Sequence, residues 1–150
     1  MSPIAEEVMT KDVKCLKPKD SIKQAAKFFV DNKIGAAPVL DDDDQLIGLI
    51  SESDLISQDI KVHFPSYIHL LDSYIFLESP KRFEESLKRA AAATVEELMA
   101  TEVVTVTPDA TTEEIATLMI EKHIGRIPVI SGGKVVGIIT KGDIVRTLSS

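Results

Sequence analysis

The sequence has little of the chemistry on which several classes of protein depend. Its 150 residues include one cysteine, no tryptophan and only 5% aromatic residues. Since a single thiol has no partner in the chain, an intrachain disulfide is excluded, which fits a reducing compartment. His63, His69 and His123 are too scattered for the ligand spacing of a zinc site. We therefore expect no metal and no cofactor.

Features of membrane and nucleic-acid-binding proteins are also missing. No apolar run approaches the roughly 18 residues that a spanning helix needs, and the first seven residues lack the basic and apolar parts of a signal peptide. The formal net charge is −7, without the cluster of Lys and Arg that phosphate-backbone binding requires. We expect a cytoplasmic protein with no membrane partner and no nucleic-acid partner.

What the sequence does contain is an internal repeat. The repeated stretches are residues 34–40 with 46–54, and residues 124–130 with 135–143. Pro38 recurs 90 residues later as Pro128, and Gly48 recurs 89 residues later as Gly137, so the missing residue lies in the turn. Each copy predicts a short apolar strand, a polar turn, a second strand and a helix. The chain therefore carries two β-hairpins, each leading into a helix N-terminus.

Polar residues mark both of these helix starts. A helix N-terminus presents unpaired N–H groups and a positive dipole end, so the hydroxyls of Ser51 and Thr140 lie where a phosphate would be held. Asp54 and Asp143, three residues later, can each accept the two hydrogen bonds that a ribose diol donates. An alternative interpretation is a capping box, in which hydroxyl and carboxylate satisfy the helix's own N–H groups. The spacing supports both interpretations.

Matching elements precede both hairpins. A short helix and a strand are predicted over residues 4–9 and 13–16, and again over residues 95–99 and 103–106. Met9 and Met99 are equivalent residues in the two short helices. Capping boxes begin the next helices, which carry apolar residues on one face. These boxes are Ser21-x-x-Gln24 and Thr111-x-x-Glu114.

The chain therefore divides into a first repeat over residues 1–57, an insert over 58–94 and a second repeat over 95–150. From Pro65 the insert carries apolar residues at helical spacing, although Ile68 lies off that stripe. A second helix is predicted after Pro80. We expect a helical hairpin that either lies across its own domain or supplies a partner-binding or dimer surface.

Both copies resemble the cystathionine-beta-synthase (CBS) domain, and the whole chain resembles a stand-alone CBS pair of the bacterial and archaeal type. The resemblance rests on Gly-x-x-Pro-Val and Gly-x-x-Ser/Thr-x-x-Asp at matching places, and it covers residues 4–57 and 95–148. It implies an α+β fold of two tandem β-α-β-β-α repeats, related by a pseudo-twofold axis, with two clefts between them. It also implies a flat homodimer.

The resemblance further implies a regulatory, energy-sensing module that binds AMP, ADP or ATP in a cleft and signals to a protein partner. Carried over by position, Asp143 would hold the ribose, Thr140 the α-phosphate, and Arg126 would face the phosphates. The adenine slot would be lined by Thr105, Val106, Ile124 and Ile138. An alternative for Arg126 is a solvated charge at a strand edge.

The first repeat matches this pattern less well, because Ala36 stands at the position of Arg126 and Cys15 at that of Thr105. Lys33 and Lys14 are candidates for the missing cation. We expect a second, weaker site formed by Cys15, Lys33, Ile34, Ser51 and Asp54.

Other functions remain open at this point. The protein could be a structural or interaction dimer with empty clefts whose insert binds a partner, or a sensor of S-adenosylmethionine or a cyclic dinucleotide. An enzyme is not expected, since no histidine is placed to activate Cys15, and Thr140 and Asp143 suit holding a ligand.

Overall fold

Each repeat builds a two-stranded antiparallel sheet with helices around it. The computed structural model describes residues 2–63, 67–70, 73–76 and 93–149. The first repeat contains α1 (Ala5–Val8), α2 (Ile22–Asn32), β1 (Ala36–Leu40), β2 (Leu46–Ser51) and α3 (Glu52–His63). Two short strands follow, β3 (Tyr67–Leu70) and β4 (Ser73–Phe76). The second repeat contains α4 (Val95–Leu98), α5 (Thr112–Lys122), β5 (Arg126–Ser131), β6 (Lys134–Thr140) and α6 (Lys141–Leu148).

The two predicted hairpins are confirmed and match each other in register. Ala37 lies opposite Ile50 in the first hairpin, and Ile127 lies opposite Ile139 in the second. Both hairpins shift register at the same place, after Val39 and its equivalent Val129. Helices begin directly after both hairpins, as predicted. The α+β fold of tandem repeats is therefore present.

The strands predicted over residues 13–16 and 103–106 were wrong in extent. In the first repeat only Leu16 pairs, in a parallel bridge with Val39: its N–H donates to the Pro38 carbonyl and its carbonyl accepts from Leu40, both at 3.0 Å. The next donor along this parallel ladder would be the N–H of Pro38, which proline lacks. Pro18 ends the ladder on the other side for the same reason.

The second repeat shows the same single parallel bridge in place of a third strand. Val106 alone bridges Val129, with hydrogen bonds of 3.1 Å to the Pro128 carbonyl and 2.8 Å from Ile130. Pro128 and Pro108 flank this bridge as their counterparts do in the first repeat. Paired prolines thus reduce a predicted third strand to a single bridge in each copy.

The helical hairpin predicted for the insert was wrong in its first arm. β3 and β4 form an antiparallel hairpin there, with Tyr67 opposite Phe76 and Ile68 opposite Ile75. Tyr, Ile and Phe favour strands, and the off-stripe position of Ile68 was the signal against a helix. The second arm, after Pro80, lies outside the described residues. α3 continues past residue 57 to His63.

Capping boxes fix the start of both long helices, as the sequence predicted. The Gln24 N–H donates to Ser21 Oγ at 3.0 Å, and the Ser21 N–H donates back to Gln24 Oε1 at 2.7 Å. Thr111 and Glu114 repeat the arrangement at 3.2 and 3.0 Å. Both helices end at a left-handed residue with φ of 55°, which in α2 is Lys33.

The short N-terminal helix of each repeat packs on the other repeat. In α1, Ala5 is fully buried in the core of the second repeat, and its N–H donates to the Ala110 carbonyl at 2.8 Å. In α4, Val95 is fully buried in the core of the first repeat, where its N–H donates to the Asp20 carbonyl at 2.9 Å. This exchange of the short helices joins the two cores, and no pattern in the sequence predicts it.

The glycines of the repeated motif make room for the exchanged helices. A Cβ built on Gly137 would lie 2.2 Å from Met9 Sδ, and one on Gly48 would lie 2.3 Å from Met99 Sδ. Each methionine therefore occupies the volume that any larger residue in the strand would need.

No helix among the described residues is long and apolar enough to span a bilayer.

Candidate functional site

A cavity of about 280 Å³ lies where the two repeats meet. One wall comes from the segment between Thr10 and Lys14, and a second from the segment between Lys33 and Ala36. The second repeat contributes Arg126, Ile138 and Thr140. This volume is close to the lower end of the range for small-molecule pockets, about 300–1,000 Å³.

Backbone pairing holds the cavity walls in place. Thr10 and Ile138 exchange two backbone hydrogen bonds of 3.0 and 3.1 Å, which fix the exchanged N-terminal segment against β6. Arg126 and Thr140 lie opposite each other at the ends of β5 and β6. The cavity therefore depends on the exchange, because the Thr10 wall belongs to the first repeat and the Thr140 wall to the second.

Arg126 extends its side chain across the cavity to the first repeat. Its Nη2 lies 2.7 Å from the position that a Cβ on Gly35 would take, so the guanidinium lies against the Gly35 backbone in space that a side chain there would occupy. The side chains of Arg126 and Lys33 make no hydrogen bond or ion pair within the described ranges. Lys14, in contrast, pairs with Asp12 at 3.2 Å.

The cavity is locally basic in an acidic protein. Its charged lining residues are Asp12, Lys14, Lys33 and Arg126, three cations and one anion, while the whole chain has a net charge of −7. Thr140 adds a hydroxyl, and Ile138 adds an apolar surface. Such a lining suits a ligand with an apolar part and an anionic part.

Thr140 and Asp143 form the capping box that was one of the two interpretations of their spacing. The Thr140 N–H donates to Asp143 Oδ2 at 2.8 Å, and the Thr140 hydroxyl is 3.1 Å from the same oxygen. Arg146 donates to Oδ1, and Asp143 is only 5% exposed. Asp143 does not line the cavity itself but orients Thr140, which does. Binding of a ribose by Asp143 would require exchange of the contact with Arg146.

The first repeat contains a similar arrangement at Ser51 and Asp54, in which both Ser51 donors contact the Asp54 carboxylate. The Ser51 N–H donates to Asp54 Oδ2 at 2.8 Å, and the two side chains are 3.1 Å apart. Neither residue lines the cavity beside Thr140. The Ser51 and Asp54 pair therefore resembles the Thr140 and Asp143 pair in its hydrogen bonds, but it does not border the cavity.

The structure brings some residues of the two predicted sites together in one cavity and places other predicted residues elsewhere. Lys33 and Ile34, assigned to the second site, share one cavity with Arg126, Ile138 and Thr140. The sequence repeat does not predict which residues share a cavity. The same duplicated sequence is compatible with helices that pack on their own repeat and with helices that pack on the other repeat.

The strand predicted to line the adenine slot does not reach this cavity. Thr105 is exposed and borders a different depression, beside Gln45, while Val106 is buried in the core of the second repeat. Ile124 packs against that same core. The place expected for residues 104–106 is taken by the segment between Thr10 and Lys14, because the N-terminal segments are exchanged.

Cys15 also lies away from the cavity lining. It is half-buried, and its Sγ donates to the Val13 carbonyl at 3.9 Å. Burial raises the pKa of this thiol, and the nearby Lys17 opposes the rise only in part. The thiol therefore stays protonated at neutral pH. Within the described residues, no group of three His, Cys, Asp or Glu side chains is placed to hold a metal ion.

Comparisons with known proteins agree with this architecture. A family model described as the CBS domain matches residues 5–61 and 95–150. The uncharacterized protein MJ1426 of Methanocaldococcus jannaschii is 32% identical over 153 residues, which cover 97% of this chain and 90% of that protein. The chloroplastic CBS domain-containing protein CBSX1 of Arabidopsis thaliana is also 32% identical, over 93% of this chain and 61% of its own length.

A solved structure, that of CBSX2 in complex with AMP, matches over nearly the whole chain. Its TM-score is 0.74 at 25% identity, and the match covers 98% of this chain and 96% of the CBSX2 chain. The pair of repeats seen here is therefore similar in shape to a protein that binds AMP.

Proposed function

This chain belongs to the CBS domain family, and on that premise we propose that it is a regulatory module that senses an adenosine-containing nucleotide of the AMP, ADP or ATP class. The ligand binds in the cavity beside Thr140. One observation carries the proposal: residues from both repeats, including Thr140 and the unpaired Arg126, line one cavity with apolar and cationic surfaces. The AMP complex of the similar protein CBSX2 supports the choice of ligand class.

The mechanism follows from the origin of the cavity walls. Lys33 and Ile34 belong to the first repeat, whereas Ile138 and Thr140 belong to the second. A ligand that contacts both sets binds more tightly in one relative orientation of the repeats than in another. Such unequal affinity is what shifts a population of shapes, because a ligand that binds both shapes equally shifts nothing. A protein partner then responds to the favoured shape.

Thermal unfolding with added nucleotides tests this proposal. A ligand at a hundred times its dissociation constant adds about 2.7 kcal/mol to the free energy of unfolding. For a chain of this size, each kcal/mol raises Tm by about 2–4 °C. We expect such a rise with AMP, ADP or ATP, and the absence of any shift with all three would contradict the proposal.

A matched pair of variants locates the site. Thr140→Ala and Ser51→Ala each remove one hydroxyl that donates to the aspartate three residues later, but only Thr140 lines the cavity. We expect Thr140→Ala to weaken nucleotide binding at least about tenfold, the loss of one hydrogen bond to a charged group. Ser51→Ala should bind like the parent protein. Asp143→Ala should resemble Thr140→Ala, because Asp143 orients that hydroxyl.

We also propose that the module is a homodimer. α5 and α6 leave an apolar groove of about 560 Å³ between them, with Ile120 74% exposed and Leu148 81% exposed. The first repeat exposes the equivalent Val30 on α2 and also Ile56 on α3. Apolar patches of this kind mark interaction surfaces. Ile120→Glu should convert the dimer into monomers in sedimentation experiments, and an unchanged sedimentation coefficient would argue against this surface.

A further inference from the structure

We propose that residues 2–14, which we term the first strap, dock on the second repeat in linkage with the ligand: an occupied cavity holds the strap in place, and an empty cavity releases it. This inference rests on the proposed function and adds the moving element that reports occupancy. The strap contains α1 and continues through Thr10 to the cavity wall. Its counterpart, residues 93–104 with α4, docks on the first repeat and is termed the second strap.

The first strap is held mainly by backbone hydrogen bonds, with little buried side-chain surface. The Glu6 N–H donates to the Pro108 carbonyl at 3.0 Å, and Thr10 and Ile138 exchange their two bonds farther along. Within the strap only Ala5 is fully buried. A segment with few buried apolar contacts opens at low free energy, and the four residues of α1 are too few for a helix that is stable by itself. The strap therefore opens more readily than the cores it joins.

The part of the strap that faces the cavity has no backbone partner of its own. Among the described residues, the backbone of residues 11–14 takes part in no backbone–backbone hydrogen bond. The side chains of Asp12 and Lys14 form an ion pair with each other at 3.2 Å. Thr10, Asp12, Val13 and Lys14 all line the cavity. This wall therefore stays against the second repeat only while Thr10 and α1 remain docked.

Ligand binding and strap docking must then favour each other. Release of the first strap removes one wall of the cavity and the backbone partner of Ile138, which also lines it. A ligand in the cavity therefore binds the docked form more tightly than the released form. Such a ligand shifts the population toward the docked form, and docking raises the affinity for the ligand by the same factor. A protein partner then distinguishes a docked strap from a released one.

The internal duplication supplies a matched control. The second strap has equivalent anchors, since the Glu96 N–H donates to the Pro18 carbonyl at 3.0 Å, and Ala100 exchanges two bonds of 2.9 Å with Leu49. None of residues 93–104, all of which the structure describes, lines the cavity beside Thr140. A ligand in this cavity should therefore hold the first strap and leave the second unaffected.

Hydrogen exchange of the full chain, followed by NMR, tests the linkage. The probe is the nucleotide among AMP, ADP and ATP that binds most tightly in calorimetry, added at about a hundred times its dissociation constant. The informative amides donate to the other repeat, namely Ala5, Glu6 and Thr10 in the first strap and Val95, Glu96 and Ala100 in the second. Because release of the first strap expels the ligand, its amides should exchange about a hundredfold more slowly with the nucleotide present. The second strap should change by less than about twofold.

A matched pair of glycine variants tests the linkage in the opposite direction. In Gly137→Ala the new Cβ would lie 2.2 Å from Met9 Sδ, and in Gly48→Ala it would lie 2.3 Å from Met99 Sδ. Each variant therefore loosens one strap, and neither glycine lines the cavity. We expect Gly137→Ala to weaken nucleotide binding at least about fivefold, the low end of an overpacking cost expressed as an equilibrium constant. Gly48→Ala should change nucleotide affinity by less than about twofold.

The outcomes distinguish the strap from the proposed function. If the parent protein binds the nucleotide but its first strap exchanges no more slowly, or both straps slow equally, the linkage is wrong and the sensing module stands. Equal loss of affinity in the two glycine variants would also overturn the linkage, because general destabilisation would then explain both. The exchange measurement uses the parent protein, so it is decisive even where a variant fails to fold. Failure of all three nucleotides to bind the parent would overturn both proposals.

Discussion

Gly137→Ala tests the exchange of the N-terminal helices. The added Cβ would lie 2.2 Å from Met9 Sδ, 2.7 Å from Cγ and 3.0 Å from Cβ of the same residue. Since carbon contacts are favourable at about 3.5–4.0 Å, the methionine must move by more than an ångström. Its Sδ and Cγ can rotate away, but its Cβ is fixed to the backbone of the segment that leads from α1 to Thr10. The substitution therefore pushes one repeat's N-terminal segment off the other repeat.

The magnitude follows from the costs of overpacking a core. Overpacking typically costs about 1–3 kcal/mol, which corresponds to a fall in Tm of about 2–4 °C per kcal/mol for a chain of this length. Gly142→Ala is the matched control. Its Cβ would meet nothing closer than 3.6 Å, and alanine favours the helix that contains it. We expect Gly142→Ala to be neutral or stabilising.

A double-mutant cycle with Met9→Ala shows whether Met9 is the cause. Removing the Sδ and Cγ atoms creates room for the new Cβ, so Gly137→Ala should cost less in the Met9→Ala background by about 1 kcal/mol or more. Urea denaturation followed by circular dichroism measures all four free energies of unfolding. Simple additivity of the two substitutions would refute the placement of Met9 over Gly137, and with it the exchange.

Three further predictions concern the caps, the cavity and the cysteine. Ser21→Ala and Thr111→Ala should each lower the free energy of unfolding by about 1 kcal/mol in urea titrations, and no loss in either variant would contradict the capping boxes. Gly35→Ala should displace the flexible guanidinium of Arg126 and weaken AMP binding in calorimetry, while the free energy of unfolding changes by less than about 0.5 kcal/mol. Because burial raises the pKa of Cys15, the stability that its neutral thiol contributes is fully present below the unfolded pKa near 9.0 and is lost as the pH rises through the folded pKa. Iodoacetamide should accordingly alkylate the folded chain more slowly than the urea-unfolded chain, and equal rates would show that the thiol is not protected.

The sequence by itself determined the parts of the fold that depend on neighbouring residues. The hairpins follow from apolar strands separated by polar turns, and the helix starts follow from caps such as Ser21 with Gln24 and Thr111 with Glu114. A capping residue acts within one turn, so its effect is present in the local sequence. The same local reasoning failed for the insert, because apolar residues from Tyr67 onward fit both a helix and the observed strands.

Only the tertiary structure decided which repeat each short N-terminal helix joins. α1 and α4 have similar sequences, and each is followed by an equivalent methionine, Met9 or Met99. Either helix would therefore bury the same kinds of side chain whether it packed on its own repeat or on the other one. The exchange places Thr10 and Lys33 of the first repeat beside Thr140 of the second. The composition of the cavity is therefore set by contacts between residues about 90 or more positions apart, such as Arg126 with Gly35 and Thr10 with Ile138, and no local pattern specifies them.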